Sequence, residues 1–294
     1  MSVHSYSMVI RNARIVDGSG APSFKADLAV AGDRIAAIGK VSGRGDVEID
    51  AAGQVLAPGF IDIHTHYDPQ LCWDRLPVPS PEHGVTSIVI GNCSMSLAPV
   101  RPDSRENLIG WFGSVEDMEG GLLRRIISFE WETFGEYLAE LRRGLGPNVG
   151  AFLGHAVLRY YVMGDEAQRR AATREEVAHM VRILRDALAK GALGLSFTFN
   201  HLDNAGEDLP CRYADRSEIA ALMKEVAAAG RMVEVAPNLR PGADPLEQFE
   251  LFGALALETG ARCTLSPVLH LPSRGNLHER MIERLDYWRA QGAE

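Results

Sequence analysis

Two histidines separated by a single residue, His64 and His66, close the run Ala57-Pro58-Gly59-Phe60-Ile61-Asp62-Ile63-His64-Thr65-His66. Apolar residues lead up to them, and Pro58-Gly59 breaks the chain beforehand, so the run reads as a short strand with a defined start. Side chains alternate along a strand, which puts His64 and His66 on one face and turns Thr65 away. Two imidazoles on one face at a strand's carboxyl end can share a divalent cation. The chain has nine histidines, so a chance pair that packs or faces solvent is the plain alternative. Placement directly after an apolar strand favours metal.

A site of this kind needs a rigid frame, and the chain divides into two parts that can supply one. Residues 9–16, 28–38 and 47–56 are β-rich and joined by Gly, Pro and Asp turns. They predict part of a small β-sandwich over residues 1–57. From Phe60 onward strand and helix alternate. A helix opens at Thr173 with Glu176 three residues on, a capping box. It repeats Val177, Met180, Val181, Leu184 and Leu188 at helical spacing and stops at Gly191. A second begins near Asp215 and Glu218 and stops at Gly230; a third takes Asp244 as N-cap with Pro245 in its first turn and ends at Gly260. Strands are expected near Phe60, Ser87, Val149, Leu193, Met232 and Arg262, with a last helix over 277–289. Regular β-then-α order predicts a parallel sheet curled as a (β/α)8-type TIM barrel over residues 58–294. Only six strand–helix units are found, so the barrel is expected to be incomplete and the chain to be a piece of a longer protein. Open sheet edges would then favour a homo-oligomer or aggregation. Residues 108–115 and 122–129 are apolar enough to be lid helices rather than hidden strands.

Composition bounds the function. Apolar residues make up 46% of the 294-residue chain and charged residues 23%, ordinary for a globular enzyme. A net charge of −9 without a clustered basic stripe argues against nucleic acid as a partner. No run of about 18 apolar residues suggests a membrane span, and the first eight residues lack the core of a signal peptide. Cys72, Cys93, Cys211 and Cys263 are scattered without paired spacing, as reduced thiols in a cytoplasmic protein would be.

The run Pro-Gly-Phe-Ile-Asp-x-His-Thr-His resembles the amidohydrolase superfamily of metal-dependent hydrolases. Gly84-Val85-Thr86-Ser87-Ile88-Val89-Ile90-Gly91-Asn92-Cys93, with the residues to Pro99, is similar to the second barrel strand of the N-acyl-D-amino-acid deacylases. Gly154-His155-Ala156-Val157-Leu158-Arg159 and Val162-Met163-Gly164 match the same group. The likeness runs from about residue 8 to about residue 199. Its Gly-Asn-Cys element is specific, because most amidohydrolases carry no cysteine there. The resemblance implies a small-molecule N-acyl-D-amino acid substrate, cleaved to a carboxylic acid and a free D-amino acid. It also implies one or two divalent metal ions, with Zn2+ expected.

Catalytic groups of barrel enzymes sit at the carboxyl ends of the strands. That places His64 and His66 on the first strand, Cys93 on the second and His155 on the third. Cys93 is a metal ligand if a thiolate stands beside the two imidazoles, and a small buried residue otherwise. His155 is open between substrate contact and structure. Arg159, four residues on, is placed to meet a carboxylate, with a solvated or structural charge as the alternative. The family's histidine at the end of the fifth strand is replaced by Ala236, and the sixth strand reads Leu265-Ser266-Pro267 with no histidine until His270. The eighth-strand aspartate that orients the attacking water falls beyond Glu294. His201, Asp203 and Glu234 are substitute candidates by position alone. Two rival readings remain. A cyclic amidohydrolase of the hydantoinase or dihydroorotase kind would use a fourth-strand lysine, which residues 192–200 lack. A non-catalytic fragment or binding module on the same fold would explain the missing histidines.

Overall fold

A computed structural model describes residues 5–116 and 118–294, and the chain divides into two compact units, Met1–Phe60 and Ile61–Glu294. The first unit is a mixed sheet of β1 (Ser5–Ile15), β2 (Phe24–Ala31), β3 (Arg34–Gly39), β4 (Arg44–Asp50) and β5 (Val55–Leu56). Its order is β3-β2-β1-β4, with β5 also on β1; β2 runs antiparallel to β1 and β3, while β4 and β5 run parallel to β1. Two small cores form on it, one from Val9, Ala29 and Val41 and one from Ala13, Ile15 and Ala51. Among the described residues this one sheet is the β-rich N-terminal part expected from the sequence. Its short strands expose Ile35, Ile38, Val47 and Ile49.

The second sheet joins β6 (Phe60–Asp62), β7 (Val85–Ile90), β8 (Asn148–Gly154), β9 (Gly194–Thr198), β10 (Met232–Ala236) and β11 (Arg262–Leu265). They lie side by side in chain order, and every register determined among them is parallel. These are the six strands read from the sequence, in a curled α/β half-barrel. All five residues of β9 are buried, as befits a parallel strand covered on both faces. The outer layer holds α4 (His155–Met163), α5 (Arg174–Lys190), α6 (Arg216–Ala228), α7 (Leu246–Thr259) and α8 (Leu277–Ala290), each packed on the next. Between β7 and β8 the chain forms α1 (Arg105–Val115), α2 (Gly120–Ile126) and α3 (Phe134–Leu141). No described helix is long and apolar enough to cross a membrane.

Local chemistry explains the helix bounds. Thr173 and Glu176 make the reciprocal capping box of α5, and Gly191 ends it in a left-handed conformation at φ +113°. Asp215 caps α6 by accepting from the Glu218 amide at 2.8 Å. The start of α7 differs from expectation by one residue. Pro245 is its cap, and Asp244 instead accepts from the Leu246 amide at 3.1 Å. β6 and β11 are the two edges of the sheet. Ile61 and Ile63 are 66% and 68% exposed beside one edge, and on the other strand the Cys263 amide donates to the Glu294 carbonyl at 2.8 Å.

Candidate metal centre

The loop after β7 is built to present Cys93. Gly91 has φ +72°, and a Cβ there would stand 2.1 Å from the Phe152 carbonyl oxygen of β8, so only glycine lets the two backbones approach. Cys93 and Ser94 then both adopt left-handed backbone, φ +50° and +66°, which costs L-residues roughly 1–2 kcal/mol each. Buried hydrogen bonds hold this conformation. The Cys93 amide donates to Glu234 Oε2 at 3.0 Å and the Ser94 amide to Ser196 Oγ at 3.0 Å. Asn92 Nδ2 donates to the Thr65 carbonyl at 3.1 Å, tying the loop to the histidine segment. Thr65 in turn donates from its amide (3.0 Å) and its hydroxyl (2.7 Å) to the Val89 carbonyl of β7.

The result brings three expected ligands together. One ligand atom from each of His64, His66 and Cys93 lies within 4.8 Å of the others. Cys93 Sγ is 3.3 Å from His64 Nε2, and the two imidazoles meet edge-on with centroids 5.2 Å apart. Burial holds both histidines neutral. His64 titrates below its ordinary value, and His66 is pushed down to about 3 by burial and then by the neighbouring charges of His64 and His201. Burial, then the charges of Glu234 and Glu116, raises the Cys93 thiol. Neutral imidazoles are competent ligands as they stand, whereas the thiol must lose its proton to a cation.

Two carboxyl groups stand against this cluster, Glu234 Oε1 3.8 Å from His64 Nδ1 and Glu116 Oε1 3.3 Å from His66 Nδ1, and a third, Asp68, accepts from the Gly91 amide of the Cys93 loop at 3.0 Å. Burial raises Glu234 to about 8, Glu116 to about 7 and Asp68 to about 7. Glu234 Oε1, Asp68 Oδ1 and His66 Nδ1 are buried without a hydrogen-bond partner, although Glu116 Oε1 stands 3.3 Å from that nitrogen. Orphaned buried polar atoms around two imidazoles and a thiol are the donor chemistry a divalent cation satisfies, so the residues present fit the expected metal. His64 and Glu234 also line a cavity of about 110 Å³ with Val89, Phe152, Leu193 and Met232.

The other expected residues have different settings. His155 directly follows the carboxyl end of β8 and begins α4, fully buried, with its ring 4.5 Å from that of Phe197. Its Nε2 is 2.9 Å from Glu218 Oε1, and its Nδ1 is 3.2 Å from Cys211 Sγ. Arg159 is equally buried. It donates to Glu218 Oε2 at 2.5 Å and to the carbonyls of Ala167 (3.2 Å), Tyr213 (3.3 Å) and Arg170. Each of the three guanidinium nitrogens of Arg159 thus donates within the protein. Burial opposes charge on His155, but Cys211 and then Glu218 lift it to about 9. Asp203 Oδ1 accepts from the amides of Ala205 and Glu207, both at 2.9 Å, and so serves a turn. His201 Nδ1 pairs with Thr198 Oγ1 at 2.8 Å, and burial, then the charge on His64, pushes it down to about 4. Ala236 is buried, and its carbonyl accepts from the Phe199 amide at 2.8 Å. His270 is exposed and meets the His278 ring edge-on, with centroids 4.6 Å apart. Sequence reasoning missed Glu116, Asp68, Cys211 and the side chain of Glu218. Asp68 lies two residues after His66, but β6 ends at Asp62 and no strand alternation carries through to it; the others left no local signal either.

The chain is thus a curled parallel half-barrel in which two imidazoles and a thiol gather just beyond the carboxyl ends of the first two strands, an arrangement that could hold a divalent cation. The amidohydrolase family profile matches residues 47–291, and the chain belongs to that family. It is 40% identical to a D-aminoacylase of Alcaligenes xylosoxydans xylosoxydans over 196 residues, which cover 65% of this chain and 37% of that one. A solved D-aminoacylase with a binuclear metal centre superposes with TM-score 0.72 at 32% identity, covering 88% of this chain and 51% of the other. A zinc- and phosphonate-bound N-acyl-D-glutamate deacylase of Bordetella bronchiseptica gives TM-score 0.74 at 28% identity, covering 99% and 57%. The chain therefore spans between about a third and three-fifths of the length of these relatives.

Proposed function

We propose that this chain carries the metal-binding part of a hydrolase that cleaves the amide bond of N-acyl-D-amino acids. The observation that supports it is the convergence of His64, His66 and Cys93. The similarity to a D-aminoacylase and to an N-acyl-D-glutamate deacylase supports the substrate class. A divalent ion, with zinc the expected one, would be held by these three side chains and would supply Lewis acidity towards an amide carbonyl and lower the pKa of water.

The chain's own residues prepare the site. The strained turn at Cys93 aims the thiol at His64, and burial keeps both imidazoles neutral with a lone pair free. Glu116, 20% exposed and titrating near neutrality, is the carboxyl group here best placed to exchange a proton with an entering molecule. Among the described residues no seventh or eighth strand supplies the aspartate that the resemblance implies for orienting water.

Elemental analysis of the purified chain beside the His64→Ala/His66→Ala variant tests the metal. Zinc bound by the first and lost from the second is expected, and equal content in the two would refute it. Hydrolysis of N-acetyl-D-amino acids over their L-isomers, by a protein containing this chain within a full-length barrel, tests the substrate. Turnover of hydantoins or cyclic imides without any turnover of N-acyl amino acids would refute that part.

A further inference from the structure

Outside the metal-ligand cluster the core holds a second thiol, Cys211, in the short turn Pro210–Tyr213 that precedes α6. Its Sγ is 3.2 Å from His155 Nδ1 and 2.9 Å from Ser94 Oγ, and the Thr198 backbone bonds it as well. Cys72 and Cys263, thiols that burial pushes up to about 12, keep longer contacts, 3.7 and 3.8 Å to carbonyl oxygens. Counting protons narrows the states open to Cys211. Ser94 Oγ accepts from the Ala156 amide at 2.5 Å, so its own hydrogen has only the Cys211 sulfur to go to. Glu218, paired with Arg159, is ionised and accepts only, so His155 Nε2 carries the hydrogen that meets Oε1 at 2.9 Å. One proton remains to be placed, on Sγ or on Nδ1. Burial favours the neutral pair. Against it stand a hydroxyl aimed at the sulfur, a better match for a thiolate than for a weakly accepting thiol, and a carboxylate behind the ring that stabilises imidazolium. Burial raises the Cys211 thiol, yet the charge and hydrogen bond of His155, then Ser94 and Thr198, bring it below its ordinary value.

We propose that this proton sits on the ring, so that Cys211 and His155 form a buried thiolate–imidazolium pair, and that Cys211 is a positioning residue anchoring Ser94 in the turn behind Cys93. Ser94 is held at φ +66°, and its two polar groups are tied to different elements. Its amide donates to Ser196 on β9, while its hydroxyl joins Cys211 to the first turn of α4. An ionised acceptor makes the hydroxyl tie roughly twice as strong as a neutral one. With Cys211 and Glu218 negative and His155 and Arg159 positive, the group sums to zero and leaves no net charge in the core. A cysteine, a histidine and an acid in this order are the parts of an activated nucleophile. Here Cys211, His155 and Ser94 are all fully buried, so the pair meets no substrate and acts on the protein itself. It needs no cation at Cys93 and therefore stands apart from the metal reading above.

The test uses the chelator-treated 294-residue chain, labelled with 15N, beside Cys211→Ser and Cys211→Ala. Two-bond 1H–15N correlation spectra at neutral pH should show hydrogen on both nitrogens of the wild-type His155 ring. Ultraviolet difference absorbance should show one thiolate in the wild type that both variants lack, and His155 should become a neutral ring in each. Amide hydrogen exchange at Ser94 and Ala156 should speed at least about tenfold in Cys211→Ala, the scale of one lost charge-assisted hydrogen bond. Cys211→Ser, which keeps a neutral acceptor, should speed it less. A neutral His155 ring in the wild type, or equal thiolate absorbance in wild type and variants, overturns the pair. Exchange at Ser94 and Ala156 unchanged in whichever variant folds overturns the anchoring role. The protein is metal-free throughout, so a chain that takes up no zinc would refute the metal reading and leave these outcomes as they are.

Discussion

Replacing Glu218 with alanine should destabilise the protein far more than any exposed ion-pair substitution. The carboxylate meets His155 Nε2 at 2.9 Å and Arg159 Nη1 at 2.5 Å, and all three side chains are at most 1% exposed. Burial would raise Glu218, yet its hydrogen bonds and charge contacts with His155 and Arg159 hold it below the ordinary carboxylate range. Removing one member of a buried ionic group costs about 3–5 kcal/mol, chiefly because the remaining charge stays buried. Arg159 keeps its carbonyl acceptors at Ala167, Tyr213 and Arg170, which points to the lower end, about 3 kcal/mol. Against a typical total of about 5–15 kcal/mol, that is a loss of a fifth or more. Urea denaturation followed by circular dichroism would show it as a midpoint lowered by about 1 M or more. Glu225→Ala breaks the exposed pair with Arg185 and should leave the midpoint nearly in place. The double variant Arg159→Met/Glu218→Met should recover most of the loss, since apolar groups of similar volume can replace a buried pair. A Glu218→Ala loss below about 1 kcal/mol would refute the reasoning. Should Arg159 hold substrate instead, Arg159→Met would raise KM in an active full-length protein while leaving the urea midpoint alone.

Three further outcomes follow from the same geometry. Gly154→Ala places a Cβ 2.1 Å from the Ser94 carbonyl oxygen; since that neighbour is backbone, a loss of about 3 kcal/mol or more is expected by thermal melting, together with weaker zinc binding. Cys93→Ser, which keeps the loop's hydrogen bonds but offers a poorer ligand, should lower zinc affinity at least tenfold by competitive chelator titration while leaving the melting temperature of the metal-free protein within a few degrees. In chelator-treated protein, stability should fall as pH rises from about 6.5 to 8. Glu234, Glu116 and Asp68 have folded values raised to about 8, 7 and 7, so the folded state holds more protons than the unfolded state in that interval. His66 and His201, lowered to about 3 and about 4, act oppositely, but their contribution is lost only as pH falls below about 6.5. A flat or rising profile between pH 6.5 and 8, measured by urea midpoints, would contradict this assignment.

What the chain discloses in one dimension is what periodicity and local chemistry control. The six barrel strands, the capping box at Thr173 and the stop at Gly191 depend on neighbours within a few residues, and the structure places them as read. His64 and His66 were legible as a close pair after an apolar strand, but the strand period did not place them: β6 ends at Asp62 and both histidines lie in the segment that follows it. Cys93 needed the resemblance as well, since its approach to His64 depends on a left-handed turn that no propensity announces. In the N-terminal unit the strands were legible but their directions were not: β4 and β5 run parallel to β1, which turn residues alone do not announce.

The residues that escaped reading share one property: their partners are distant in sequence and charged. Glu218 looks like a first-turn helix residue beside its cap, and its amide does bond Asp215. Its side chain nonetheless turns inward to partners 63 and 59 residues away. Helical pattern arguments assign a charged residue to solvent by default, because an unpaired charge inside is prohibitively costly. They fail where three charges enter the core together and satisfy one another, as His155, Arg159 and Glu218 do. Glu234 was a candidate by position, but its partners were not legible, because it occupies a strand position that an apolar residue would normally fill. Its burial makes sense only with Cys93 and His64 in place, 141 residues away in the case of the Cys93 amide. A buried carboxylate in a parallel strand is therefore the signal to carry forward. Where a strand reads Met232-Val233-Glu234-Val235-Ala236, the lone acid has to be answered by something across the sheet, and the answer here is the Cys93 amide at 3.0 Å, with the His64 imidazole beside it.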